Sequence, residues 1–128
     1  MAEDRLTGAG RGALTVLIVD DHAAFRAAAR RLLEAAGFVV VGEAGNAADA
    51  LAAVATTPPD VVLLDVQLPG VDGIAVAERL AAGPAPPRVV LISSRDAAAY
   101  GERLARAPAC GFIAKAGLTG RALAAMVG

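Results

Sequence analysis

Short apolar segments recur along the chain, and four of them end in a charged or hydroxyl residue. These are residues 14–19 before Asp20 and Asp21, residues 61–64 before Asp65, residues 88–92 before Ser93, and residues 111–114 before Lys115. Unbroken apolar runs of this length are typical of parallel strands, because such strands are covered on both faces. A fifth run, residues 38–43, ends in a polar tail and is predicted to be an edge strand.

Apolar residues at helical spacing separate these segments. Phe25, Ala28, Ala29, Leu32 and Ala36 form one stripe, which predicts a helix that begins near His22 and ends at Gly37. Four further helices are predicted in the same way. The second is capped by Asn46, and the third has Ile74, Ala77, Leu80 and Ala81 on its apolar face. The fourth covers about 97–107 with Tyr100 and Leu104 on one side, and the fifth is a two-turn helix capped by Thr119, with a hydrophobic staple between Leu118 and Leu123.

A strand followed by a helix thus occurs five times, with short loops between them. This order predicts an α/β fold with one parallel sheet and right-handed crossovers. The carboxyl ends of parallel strands lie at one edge of the sheet, where such folds bind ligands. The polar residues that follow the strands are therefore expected to converge there.

Length and composition favour one domain. Residues 14–128 are expected to form it, and residues 1–13 are expected to be a flexible tail without a signal peptide. Hydrophobic residues make up 56%, yet no apolar run approaches the roughly 18 residues of a membrane span. The net charge of -1 provides no general attraction for a polyanion, so we expect no nucleic acid bound by this chain alone, no membrane association, and protein partners. The single cysteine, Cys110, is expected to be a small buried hydrophobe in a cytoplasmic protein.

Three carboxylates, those of Asp20, Asp21 and Asp65, follow two of the predicted strands. If those strands are neighbours, mutual repulsion raises at least one carboxylate pKa unless a cation intervenes. Mg²⁺ or Mn²⁺ fits this set better than Zn²⁺, because all the ligands are oxygens and the chain has no cluster of His or Cys. The only histidine, His22, is interpreted as a residue of the helix start without a chemical role.

Lys115 is the only lysine among twelve basic residues. An ammonium at a strand end, in a chain that otherwise uses arginine, indicates a need for a compact point charge on a flexible stem.

Taken together, these residues resemble the receiver domain of two-component response regulators. The resemblance rests on Asp20 and Asp21, on Asp65 followed by residues 68–70 and 72–73, on Ser93, and on Lys115 three residues after Phe112, and it spans about residues 14–127. It implies a flavodoxin-like doubly wound sheet of five parallel strands in the order 2-1-3-4-5, with five helices. In that order the first and third strands are adjacent.

The resemblance also implies roles for the site residues. Asp65 would be the phosphoacceptor. Asp21 would bind Mg²⁺ directly and Asp20 mainly through water, while the backbone carbonyl of Gln67 would complete the protein ligands. Lys115 would pair with Asp65 and then with the phosphoryl group.

The same resemblance implies a switch and a set of partners. Ser93 would turn toward the phosphoryl group, and Phe112 would follow it. The phosphoryl donor would be a histidine kinase or a histidine phosphotransfer protein, and the output would be a downstream protein target. The chain would not be an enzyme, apart from its own Mg²⁺-dependent phosphorylation and dephosphorylation.

Two residues depart from the usual receiver pattern. Ala116 follows Lys115 where receivers commonly have proline, so the loop into the last helix is expected to differ. The switch aromatic is Phe112 instead of tyrosine, which predicts that no phenol is available at the output surface.

Several functions remain open. The favoured interpretation is a single-domain phosphorylatable receiver. One alternative is a pseudo-receiver that only binds partners, and another is the receiver piece of a longer DNA-binding regulator. A haloacid-dehalogenase-like phosphatase also uses Asp, Ser and Lys, but it needs an acid two residues after its nucleophile, and here Val66 and Gln67 follow Asp65.

Overall fold

The computed structural model describes residues 13–127, which contain one five-stranded parallel sheet. Its strands are β1 (Thr15–Val19), β2 (Val39–Ala44), β3 (Val61–Asp65), β4 (Arg88–Ser93) and β5 (Gly111–Ala114). They lie in the order β2-β1-β3-β4-β5, and every neighbouring pair is parallel. The predicted strand order 2-1-3-4-5 is therefore confirmed. A small antiparallel hairpin, Gln67–Leu68 with Val71–Asp72, follows β3.

Within residues 13–127, five α-helices connect and cover the strands, as predicted. They are α1 (Ala23–Ala35), α2 (Ala47–Thr56), α3 (Gly73–Ala81), α4 (Glu102–Arg106) and α5 (Gly120–Val127). Two 3₁₀ turns, Ala97–Ala99 and Lys115–Gly117, precede α4 and α5. Among the described residues, no helix combines the length and the apolarity that crossing a membrane would require.

The core has two layers, one on each face of the sheet. In β3, Val61 and Leu63 belong to the layer beneath α1 and α5, whereas Val62 and Leu64 belong to the layer beneath α2 and α3. All four side chains are 0% exposed. Coverage on both faces explains why this strand is apolar at every position rather than at alternate positions.

Both predicted helix caps are present. The side-chain oxygen of Asn46 accepts a hydrogen bond from the Asp49 N–H at 2.8 Å, and the hydroxyl of Thr119 accepts one from the Ala122 N–H at 2.9 Å. These bonds satisfy N–H groups that have no partner within their helices. Gly37, with φ 97°, ends α1 in a conformation that residues with a Cβ rarely adopt.

The fourth helix differs from its prediction over about 97–107. It consists of the 3₁₀ turn Ala97–Ala99, a break, and the five residues of α4. Gly101 lies at the break with φ 56° and ψ -136°, a conformation available almost only to glycine. A continuous helix through this residue was therefore the wrong expectation.

Two burial predictions are also wrong. On α1 the buried residues are Ala29 and Leu33, and Ala28 and Ala36 are exposed. Cys110 is exposed, because it lies in the loop before β5 and contributes its backbone N–H, not its side chain, to β4 by bonding to the Val89 carbonyl. The predicted tail, residues 1–13, lies outside the described residues except for Ala13, and its flexibility stays a prediction.

Candidate functional site

The polar ends of four strands meet at the carboxyl edge of the sheet. Val19 of β1 is paired with Leu64 of β3, so the next residues, Asp20 and Asp65, come to lie side by side. Both carboxylates are buried, with 0% and 3% of each residue exposed. Charged groups are rarely buried without partners, because desolvation disfavours the ionised form. This pair is therefore the electrostatic centre of the site.

Two backbone N–H groups hold the buried carboxylates in place. The N–H of His22 donates to Asp20 Oδ1 at 2.8 Å, and the N–H of Gln67 donates to Asp65 Oδ1 at 2.9 Å. Gln67 is therefore beside the phosphoacceptor candidate, as expected. The role of its carbonyl oxygen as a ligand stays a prediction.

The ammonium of Lys115 lies between the two carboxylates. Its Nζ is 3.2 Å from Asp65 Oδ2 and 2.5 Å from Asp20 Oδ2. The aromatic ring of Phe25 covers it from α1, with the Nζ 4.6 Å from the ring centroid. A cation over an aromatic face is attracted by the electron-rich ring. Lys115 is thus held by two charges and one aromatic face.

The pKa values of the three groups reflect this arrangement. Burial raises the pKa of Asp65, and the Asp20 carboxylate adds to that rise, while the Gln67 N–H and Lys115 oppose it without cancelling it. Burial would also raise the pKa of Asp20, but Lys115 and the His22 N–H outweigh it and lower that pKa. Burial would lower the pKa of Lys115, and the two carboxylates raise it instead. Asp20 is therefore the carboxylate that stays ionised most readily.

The acidic cluster has the donors of a metal site. Oxygens of Asp20, Asp21 and Asp65, together with a ring nitrogen of His22, lie within 4.8 Å of one another. Asp20 Oδ2 is buried and forms an ion pair with Lys115, but it accepts no hydrogen bond from the described residues. A buried anionic oxygen without a hydrogen-bond donor is stabilised by a cation. Oxygen-rich donors of this kind fit a hard divalent ion.

Ser93, at the end of β4, does not bond to Asp65. Its side chain is fully buried, its Oγ accepts a hydrogen bond from the Arg95 N–H at 3.0 Å, and it lies 2.5 Å from the hydroxyl of Tyr100. The ring of Tyr100 packs against that of Phe112, with centroids 6.2 Å apart. A residue outside β5 thus places a phenol beside Phe112, whereas the expectation that no phenol is available at the output surface stays a prediction.

Gly73 allows the loop after β3 to fold back on the site. A Cβ at this position would collide with the backbone oxygen of Asp65, so a larger residue would displace the strand end. The preceding residue, Asp72, caps α3 by accepting a hydrogen bond from the Ile74 N–H at 2.9 Å. Local structure thus explains both residues of this pair: Asp72 caps α3, and Gly73 leaves room for the Asp65 backbone.

Four residues of the site were not recognised from the sequence. Phe25 had a helical spacing that indicated only core packing, and Tyr100 was assigned to a helix face. Arg26 gave no signal, yet its Nη1 donates to the Asp20 carbonyl at 2.5 Å while its Nε donates to Glu43 Oε1 at 3.1 Å. His22 was assigned no chemical role, and its Nδ1 lies 3.0 and 3.1 Å from Oδ1 of Asp20 and of Asp21.

Comparison with known proteins agrees with this geometry. The response regulator receiver domain family matches residues 16–127. The probable transcriptional regulatory protein NarL of Mycobacterium tuberculosis is 42% identical over 101 residues, covering 78% of this chain and 47% of that protein. Response regulator UvrY of Escherichia coli is 34% identical over 103 residues, covering 80% and 47%. The chain thus spans about half the length of these relatives.

A solved structure shows the same fold. The signal receiver domain of NarL from Mycobacterium tuberculosis superimposes with a TM-score of 0.79 at 35% identity, covering 91% of this chain and 98% of that one. Sequence, strand order and site geometry therefore lead to one assignment. The chain belongs to the response regulator receiver domain family.

Proposed function

We propose that this chain is a phosphoacceptor, and that Asp65 takes the phosphoryl group from a histidine kinase or a histidine phosphotransfer protein. The observation that carries the proposal is the buried Asp65 carboxylate with the Lys115 ammonium 3.2 Å from its Oδ2 and a second acid, Asp20, beside it. An Asp carboxylate is a competent nucleophile for phosphoryl groups when the developing charge is neutralised.

The transfer exchanges one bond for another. An oxygen of Asp65 forms the new P–O bond while the P–N bond of the donor phosphohistidine breaks, and the departing imidazole nitrogen keeps the electron pair. The Lys115 ammonium lies within reach of both carboxylates, so it can follow the charge from Asp65 to the phosphoryl oxygens. The N–H of Gln67 holds the carboxylate orientation throughout.

The acidic cluster fits Mg²⁺ or Mn²⁺. Asp20, Asp21, Asp65 and the carbonyl of Gln67 would hold the ion. When bound, the ion would neutralise charge on the phosphoryl oxygens. Arg26 keeps the β1–α1 loop in position for this role, because it ties the Asp20 carbonyl to Glu43 of β2.

The output is proposed to leave through protein contact at the face formed by α4, β5 and α5. Phosphorylation would be a local charge change that biases a two-state element. Ser93 and Phe112 would move in response and change that face. The net charge of -1 does not favour DNA binding by this chain alone. The named relatives are regulators about twice as long, so a role as the receiver part of a longer DNA-binding regulator is the second candidate.

Intact-mass spectrometry tests the phosphoacceptor assignment. Incubation with Mg²⁺ and acetyl phosphate should add one phosphoryl group to the wild type and none to Asp65→Asn. Asp96→Asn is the matched control, because Asp96 is an exposed acid whose side chain makes no cap hydrogen bond. An adduct that persists in Asp65→Asn would refute the assignment. A folded wild type that gains no adduct would favour the pseudo-receiver, which binds partners without phosphorylation.

A further inference from the structure

Tyr100 contacts both residues that are proposed to switch. Its hydroxyl lies 2.5 Å from Ser93 Oγ, and its ring is tilted by 57° against Phe112 at a centroid distance of 6.2 Å. Ser93 belongs to β4 and Phe112 to β5, whereas Tyr100 belongs to neither strand. One side chain from a third segment therefore connects the two.

The segment that carries Tyr100 has few buried residues. It starts with the 3₁₀ turn Ala97–Ala99, passes through Tyr100 and the glycine-only conformation of Gly101, and ends with the five residues of α4. No residue of the 3₁₀ turn or of α4 is fully buried. Elements with few buried contacts open at low cost in free energy.

A second contact ties the segment to the loop after Asp65. The guanidinium of Arg103, in α4, forms an ion pair with the carboxylate of Asp72, which also caps α3. The segment is thus attached to the site at Ser93 and at Asp72.

We infer that Tyr100 is a positioning residue, which holds the Ser93 hydroxyl away from Asp65 until a phosphoryl group competes for it. This inference rests on the proposed function, because the competitor is the phosphoryl group on Asp65. The Ser93 hydroxyl has one proton to donate and already accepts from the Arg95 N–H. Either hydroxyl can be the donor in the Ser93–Tyr100 pair. In both cases, turning Ser93 Oγ toward the phosphoryl group moves it away from the Tyr100 hydroxyl and breaks that bond.

The competition has a direct consequence for the segment. A hydrogen bond to an anionic phosphoryl oxygen is stronger than one between two neutral hydroxyls, so phosphorylation favours the exchange. The Tyr100 hydroxyl then loses its partner, and the segment from the 3₁₀ turn to α4 loses one of its two polar attachments, while the ring of Tyr100 and the side chain of Leu104 stay packed on the core. Tyr100 in this way supplies the phenol that Phe112 of β5 lacks.

Tyr100→Phe isolates the hydroxyl, because phenylalanine keeps the ring that packs on Phe112. The measurement is calorimetric affinity for beryllofluoride, an acyl-phosphate mimic, in the presence of Mg²⁺. Since the resting bond no longer has to be broken, Tyr100→Phe should bind the mimic about 3- to 10-fold more tightly than the wild type. Affinity for Mg²⁺ alone should be the same in both proteins.

A double-mutant cycle separates positioning from a general structural effect. In a Ser93→Ala background there is no hydroxyl for Tyr100 to hold, so Tyr100→Phe should leave the affinity for beryllofluoride unchanged. An equal gain in both backgrounds, or no gain in the wild-type background, would overturn the inference while leaving the proposed function intact. A wild type that binds no beryllofluoride and forms no phosphoryl adduct would overturn both.

Discussion

Removing the charge of Lys115 should destabilise the fold in a manner that depends on pH. Lys115→Met keeps the length of the side chain and its contact with Phe25, but leaves the carboxylates of Asp20 and Asp65 side by side without a cation. The Lys115 side chain is 15% exposed and those of its partners 0% and 4%, so solvent screens the loss only weakly. Breaking a buried ion pair by removing one partner typically costs about 3 to 5 kcal/mol.

The cost should be at the lower end of that range, about 3 kcal/mol, because one carboxylate can take up a proton. Without the ammonium, the pKa of Asp65 rises further above its value in the unfolded chain. A group whose pKa is higher in the folded state stabilises the fold below its unfolded pKa, and this contribution is lost as pH rises through the folded pKa. The difference between wild type and variant should therefore widen as pH rises above the unfolded pKa of Asp65.

Urea unfolding at several pH values, with and without Mg²⁺, measures this effect. Mg²⁺ should restore stability, by about 2.7 kcal/mol at a hundredfold excess over its dissociation constant. Arg31→Met, which removes an exposed cation from α1, is the control and should change the free energy of unfolding by less than about 0.5 kcal/mol. If Lys115→Met matched this control at pH 8, the reasoning about the buried carboxylates would be refuted.

Two further changes test the metal site and the loop beside it. Asp21→Ala should weaken Mg²⁺ binding at least about tenfold in calorimetry, since it removes one carboxylate of the cluster, and unchanged affinity would exclude Asp21 as a ligand. Gly73→Ala should lower the free energy of unfolding, measured in urea, by about 1 to 3 kcal/mol, because the new Cβ collides with the Asp65 backbone. Gly117→Ala is the control, because a Cβ at residue 117 meets open space. Equal stability of the two variants would argue against a tight backbone approach at residue 73.

The strands and their polar ends could be predicted from local sequence. The apolar run before Asp65 has no alternation, and only burial on both faces accommodates such a run, so the acid after it had to lie at the edge of the sheet. The caps at Asn46 and Thr119 follow from local chemistry as well, because the cap bonds join residues three positions apart. For these features the physical cause lies within a few residues of its effect.

The fourth helix shows where local pattern was insufficient. Tyr100 and Leu104 have helical spacing, which predicted one helix through both. In the structure the chain breaks at Gly101, and the ring of Tyr100 turns toward Phe112 while its hydroxyl reaches Ser93. Tertiary contacts overrode the spacing at this point, since glycine tolerates the break and the phenol gains a partner.

The sequence by itself determined which charges stand at the strand ends, and hence that three acids and one ammonium meet at one edge. Only the tertiary structure decided how those charges are held. Lys115 is covered by Phe25, and Arg26 ties the Asp20 carbonyl to β2, through contacts between residues that come together only when α1 packs on the sheet. Such contacts depend on distances between whole elements, and no spacing along the chain encodes them.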